Sequence, residues 1–145
     1  MSEKPRPDLG LTHVALVVRD LDRSRAFYET FAGFSVAHER EGAGPIRRVA
    51  WMVDPHTRFT VVLVESDDLD DTPLGPFGHL GLACASRAEV DRLADLAKAA
   101  DILRSPPRQS PDPVGYWTYI ADPDGNTLEL SYGQTVRHRA QQMSD

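Results

Sequence analysis

The run Leu11-Thr12-His13-Val14-Ala15-Leu16-Val17-Val18, followed by Arg19-Asp20-Leu21, decides the reading of the whole chain. It is rich in β-branched and apolar residues and reads as a strand. Asp20 then supplies a helix N-cap. A helix is predicted over Leu21 to Ala32, with Phe27, Tyr28 and Phe31 at helical spacing and Gly33 as its stop. Three strands should follow, at Phe34–Glu39, Arg47–Val53 and Arg58–Glu65. Asp54-Pro55 marks the turn between the last two.

The same order recurs downstream. Gly78-His79-Leu80-Gly81-Leu82-Ala83-Cys84 reads as a strand. Ser86 and Glu89 have capping-box spacing. Val90, Leu93, Ala94 and Ala97 form an apolar stripe. A strand starts near Asp101–Leu103, and Ser105 to Pro113 reads as a proline-rich loop, free to cover a cavity mouth with Gly115 as its hinge. Tyr116–Ala121 and Thr127–Tyr132 form a hairpin around Asp122-Pro123-Asp124-Gly125. His13 and His79 stand 66 positions apart, and the two Asp-Pro turns 68. The chain is therefore an internal duplication of about 65 residues. One module is expected over 9–66 and the other over 77–133, with an acidic linker around Asp67 to Gly75 and flexible ends at 1–8 and 134–145. The expected fold is α+β: two βαβββ modules forming a half-open mixed β-barrel, one curved sheet with helices outside.

Composition narrows the function. The 145 residues carry 16 Lys and Arg against 22 Asp and Glu, a net charge of −6, which argues against nucleic acid and anionic membrane as partners. Cys84 is the sole cysteine, which excludes an internal disulfide and suits a reducing cytoplasm. The longest apolar run, Val14 to Val18, is far too short for a membrane-spanning helix. The polar first ten residues do not read as a secretory signal.

Three residues carry the chemistry. Strand alternation puts His13 on a face with Leu11, Ala15 and Val17. His79 shares its face with the small residues Gly81 and Ala83. Glu129 shares a polar face with Thr127 and Ser131, while Leu128, Leu130 and Tyr132 point toward a helix. Two imidazoles and one carboxylate make a set that holds a divalent metal and leaves other coordination positions open.

The chain resembles the vicinal-oxygen-chelate superfamily. That group includes lactoylglutathione lyase, fosfomycin-resistance thiol transferases, extradiol dioxygenases, methylmalonyl-CoA epimerase and bleomycin-binding proteins. The pieces that carry the likeness are Thr12–Leu21, Ser24-Arg25-Ala26-Phe27-Tyr28 and Gly33-Phe34, then Gly78–Leu82 and Asp122–Leu130. The resemblance implies paired βαβββ modules around a metal held by His13, His79 and Glu129. It implies a small-molecule substrate, a cytoplasmic homodimer, and Fe(II) or Mn(II) ahead of Zn, Ni or Co.

Within the superfamily, glyoxalase-type members add a glutamate late in the first module. Here the matching position falls on Val61 or Val62, and Glu65 reads as a solvated strand end. Extradiol dioxygenases resemble the chain through Tyr119-Ile120-Ala121-Asp122-Pro123-Asp124-Gly125 and Glu129, with Tyr119 as a hydrogen-bond donor to bound substrate. Two departures are Thr118 before the tyrosine and Gln109-Ser110-Pro111-Asp112 where a histidine is expected. The leading expectation is a ring-cleaving, extradiol-type dioxygenase. A lyase, isomerase or thiol transferase on the same metal is the alternative, and a metal-free drug-binding resistance protein is the third. His38 is expected at the rim, His56 in a solvated turn, Trp51 in the core, and Cys84 as a buried inert thiol.

Overall fold

A computed structural model describes residues 7–9, 11–70, 72–75 and 77–136. The chain forms two compact units, which divide between residues 71 and 72. Of the ends expected at 1–8 and 134–145, residues 1–6 and 137–145 lie outside the described residues. No helix among the described residues is long and apolar enough to cross a membrane.

In the first unit β1 (His13–Val18) leads into α1 (Leu21–Phe27). The Asp20 carboxylate accepts the Arg23 N–H at 3.1 Å and starts the helix. The helix was expected to run unbroken to Ala32. Instead its last turn, Tyr28–Ala32, is π-helical and ends at Gly33, whose φ of 70° only glycine adopts without cost. The wider turn seats Phe27, Tyr28 and Phe31 together in the core. β2 (Ser35–Glu41), β3 (Arg48–Val53) and β4 (Thr60–Glu65) complete a four-stranded mixed sheet of order β1-β4-β3-β2.

The second unit repeats the plan. β5 (His79–Ala83) precedes α2 (Arg87–Ala99), and Ser86 Oγ caps α2 by accepting the Glu89 N–H at 3.1 Å. The Glu89 carboxylate turns to Arg92 rather than back to the cap, so only half of the expected capping box forms. The predicted stripe Val90, Leu93, Ala94 and Ala97 is buried. β6 (Leu103–Ser110), β7 (Gly115–Ala121) and β8 (Thr127–Tyr132) give the order β5-β8-β7-β6.

β6 corrects the sequence reading: the supposed proline-rich loop is an edge strand, so no lid is available at 105–110. Pro106 and Pro107 lack N–H donors, yet they sit where the pairing with β7 slips between Ser105 and Arg108, on a strand with only one neighbour. The eight strands thus form two four-stranded mixed sheets, one in each unit. Both are α+β modules of the expected βαβββ type.

Within each sheet the pleat sorts the side chains. In the second unit, Leu128, Leu130, Thr118 and Ile120 face α2 and are buried. Tyr116 joins them on that side, its hydroxyl bonded to Asp91 of α2. The opposite face collects His79, Glu129, Tyr119 and Trp117.

Candidate metal centre

Register places the second-unit residues. β5 and β8 run parallel, pairing His79 with Thr127 and Gly81 with Glu129. β7 runs antiparallel to β8 and sets Tyr119 directly opposite Glu129. Directly paired residues project to one face, so all three side chains converge. Gly81 adds no side chain between them.

The contacts are specific. His79 Nδ1 lies 2.6 Å from the Phe77 carbonyl oxygen. A carbonyl only accepts, so Nδ1 carries the hydrogen. That commitment aims Nε2 at Glu129 Oε2, 3.1 Å away. The second carboxylate oxygen, Oε1, accepts Gln134 Nε2–H at 2.5 Å. Glu129 itself is only 6% exposed. The Tyr119 ring lies 5.1 Å from the His79 ring and 4.6 Å from that of Trp117. Burial, and next the nearby Glu129 carboxylate, push the Tyr119 phenol above its ordinary value, so it stays protonated and available as a donor.

This geometry fits a divalent ion. Two lone-pair-bearing atoms at 3.1 Å repel unless a cation lies between them or a proton sits on one. Ligands about 2.1 Å from a metal and at right angles to each other stand about 3.0 Å apart. The carbonyl on Nδ1 and the amide on Oε1 are the outer-shell partners that metal-binding histidines and carboxylates ordinarily have. Within either unit taken by itself, the described residues bring no three His, Cys, Asp or Glu side chains together. The second unit supplies two donors.

The first unit carries His13 at the start of β1, exposed, with Nδ1 2.7 Å from Thr12 Oγ1. Because a hydroxyl both donates and accepts, Thr12 leaves Nε2 free to bind. β1 pairs with β4, setting His13 against Thr60 and Ala15 against Val62. Val62 is therefore the register equivalent of Glu129, which settles the choice between Val61 and Val62. It offers no donor.

Glu65 is not the solvated strand end expected from sequence. It is 5% exposed and accepts the Leu21 N–H at 2.7 Å and Arg48 Nη2–H at 3.1 Å, with Arg47 Nε at 3.3 Å. The Arg48 hydrogen bonds hold its carboxyl below the ordinary value against the cost of burial. This carboxylate closes the end of α1 onto the sheet.

Other expectations divide. Trp51 was placed in the core but is half-exposed, with the His38 ring 5.1 Å away and Arg40 5.5 Å over its face. His38 is exposed, as a rim residue should be. His56 lies in the Asp54 turn and is exposed. The Cys84 thiol is pushed up to about 11, chiefly by burial, so it is unreactive at neutral pH. Gln134 was missed because it fell in a segment read as a loose end, and no local pattern marks a residue that reaches back five positions to Glu129. A cleft of about 530 Å³, lined by Thr72, Pro73, Gly75, Arg104 and Gly125, opens elsewhere in the unit. Its arginine is engaged with Thr127 Oγ1 and the Gly125 carbonyl.

A family model for the "Glyoxalase/Bleomycin resistance protein/Dioxygenase superfamily" matches residues 10–130. The chain belongs to that superfamily. It is 45% identical over 128 residues to an uncharacterized protein of Pseudomonas aeruginosa, PA2024, covering 87% of this chain and 90% of that one. A glyoxylase/bleomycin resistance protein/dioxygenase domain from Frankia sp. EAN1pec superposes with a TM-score of 0.66 at 28% identity, over 88% of this chain and 100% of that one. A variant of the fosfomycin resistance protein FosX from Listeria monocytogenes, solved with Mn(II) and 1S,2S-dihydroxypropylphosphonic acid, shares the fold. Its TM-score is 0.68 at 21% identity, over 91% of this chain and 97% of that one. A protein of this fold has thus been solved with a divalent metal and a small oxygen-rich ligand.

Proposed function

We propose that this superfamily member is a metal-dependent enzyme acting on a small molecule with two adjacent oxygens, of the ring-cleaving dioxygenase kind. His79 and Glu129 would hold one divalent ion, Fe(II) or Mn(II), with His13 supplied by the first unit of the same chain or of a second copy in a homodimer. The observation that supports this reading is the committed pair: His79 Nε2 faces Glu129 Oε2 at 3.1 Å while the remaining polar atom of each side chain is already bonded.

When bound, the ion supplies Lewis acidity and a redox centre for O2. The chain's own residues do the rest. Phe77 fixes the His79 tautomer, and Gln134 fixes the rotamer of Glu129. Tyr119, held protonated, stands beside His79 and donates a hydrogen bond to a substrate oxygen. Trp117 extends the flat wall next to Tyr119 for an aromatic ring to lie against.

Two features weigh against the alternatives. Val62 removes the fourth carboxylate that a glyoxalase-type lyase would use as ligand and base. The His79–Glu129 pair with its outer partners is more than a metal-free drug-binding protein needs.

Chelator-stripped protein titrated with Mn(II) without oxygen tests the reading. Wild type should take up one ion per chain, and His79→Ala and His13→Ala should lose it. A catechol panel on an oxygen electrode follows. Absence of uptake by wild type sinks the enzyme reading and leaves a ligand-sequestering protein. Uptake without oxygen consumption leaves a lyase, isomerase or thiol transferase.

A further inference from the structure

The face that carries His79 and Glu129 continues toward the sheet edge as a strip of named chemistry. Tyr119 leads to Trp117, with ring centres 4.6 Å apart. Trp117 pairs with Arg108 of β6, whose guanidinium carbon lies 5.3 Å from the indole centre. Ser110, two residues on and so on the same face, accepts the Trp117 Nε1–H at 2.9 Å and fixes the indole. The next residue of β6, Gln109, turns to the other side and meets Arg87 of α2. Arg108 is therefore aimed onto the His79 face by register.

Its charge is unspent. Arg25, Arg47, Arg48 and Arg92 all face carboxylates, and Arg104 is bonded to Thr127 and Gly125. Among the described residues Arg108 has no hydrogen bond or ion pair, and its guanidinium lies over the indole. In an acidic chain a guanidinium left unpaired beside a flat wall is well suited to an anion: it presents several N–H donors in a plane, which match a carboxylate in a two-pronged contact.

We infer that Arg108 and Trp117 form an anion subsite that selects a planar substrate with a carboxylate remote from its two metal-directed oxygens. The inference rests on the proposed function for the position of those oxygens and adds the substrate's other end. The steps from His79 to Tyr119, Tyr119 to Trp117 and Trp117 to Arg108 are 5.1, 4.6 and 5.3 Å. A ligand lying along this strip carries an aromatic ring against Tyr119 and Trp117 and an arm that ends in the anion.

Caffeate has that shape, and its methyl ester differs only by removing the charge. Both are titrated by calorimetry into manganese-loaded wild type and Arg108→Gln. Wild type is expected to bind the acid at least tenfold more tightly than the ester. Arg108→Gln should bind acid and ester alike, with ester affinity and metal uptake retained, which shows that the variant is folded. Equal affinity of acid and ester for wild type overturns the subsite, as does failure of both to bind. If wild type takes up no manganese, the proposed function fails by that measurement alone. The same acid–ester comparison on the metal-free protein then decides the subsite: a tenfold preference that vanishes in Arg108→Gln upholds it, and no preference ends it.

Discussion

The two modules are one frame filled in two ways. In each, the histidine opens the first strand and pairs with a threonine: His13 with Thr60, His79 with Thr127. Two residues further on, the first module has Val62 and the second has Glu129. Opposite these stand Trp51 and Tyr119, and on the edge strand His38 and Ser105. The buried carboxylate of the first module is displaced to Glu65, where it faces Arg47, Arg48 and the N-terminus of α1. One module has invested its carboxylate in holding helix to sheet, and the other has turned it to the open face. Duplication supplies the frame, and side-chain chemistry at a few register positions makes the two copies differ.

The sharpest way to break this asymmetry is to make the second module like the first. Glu129→Val removes a donor and leaves His79 with no carboxylate. Divalent-ion uptake should fall by more than the about 100-fold that loss of an outer-shell partner costs. Titration of chelator-stripped protein measures it, and uptake within tenfold of wild type would mean that Glu129 is no ligand.

Next in size, Glu65→Gln should destabilise the first module by about 2 kcal/mol. Breaking a buried ion pair costs more, but both arginines are more than a third exposed and water screens them. Because the folded carboxyl is held below its ordinary 4.5, this contribution is fully present above that pH and lost as pH falls through the folded value. Wild type and variant should therefore converge in urea unfolding at low pH. A constant gap from pH 7 to pH 3 would contradict the assignment.

Gln134→Ala leaves His79 and Glu129 in place and frees the Glu129 rotamer. Metal affinity should drop about tenfold with thermal stability unchanged. A larger loss of stability than of affinity would make Gln134 a structural residue.

The smallest effect compares the two Asp-Pro turns. Two residues before the strand threonine, the second module has Gly125 at φ 89° and the first has Arg58 at φ 66°. Arg58→Gly should raise stability by up to about 1 kcal/mol, because a Cβ in the left-handed region carries strain. A lower melting temperature would show that the arginine side chain repays that strain.

Legibility follows the range of the forces involved. The duplication, the two histidine strands, the α2 stripe and the Asp122–Gly125 turn all declare themselves through neighbours a few residues apart. The expected positions of His13, His79, Tyr119 and Glu129 on strands were readable because alternation is local. β6 was misread because two adjacent prolines say loop, while an edge strand with a slipped register can hold them. Glu65 was misread because its partners, Arg47, Arg48 and the Leu21 N–H, lie 17 to 44 positions away. Gln134 had no motif to announce it.

The sequence by itself determined the βαβββ repeat, the superfamily and the residue types able to bind a metal, because these depend on periodicity and composition. Only the tertiary structure decided that Val62 stands where Glu129 does, that Glu65 serves the helix, that Gln134 holds a carboxylate oxygen, and that Arg108 shares a face with His79. Each of those is set by strand register. Pairing between distant segments moves a side chain from one face to the other with a shift of a single residue, and no local pattern records it.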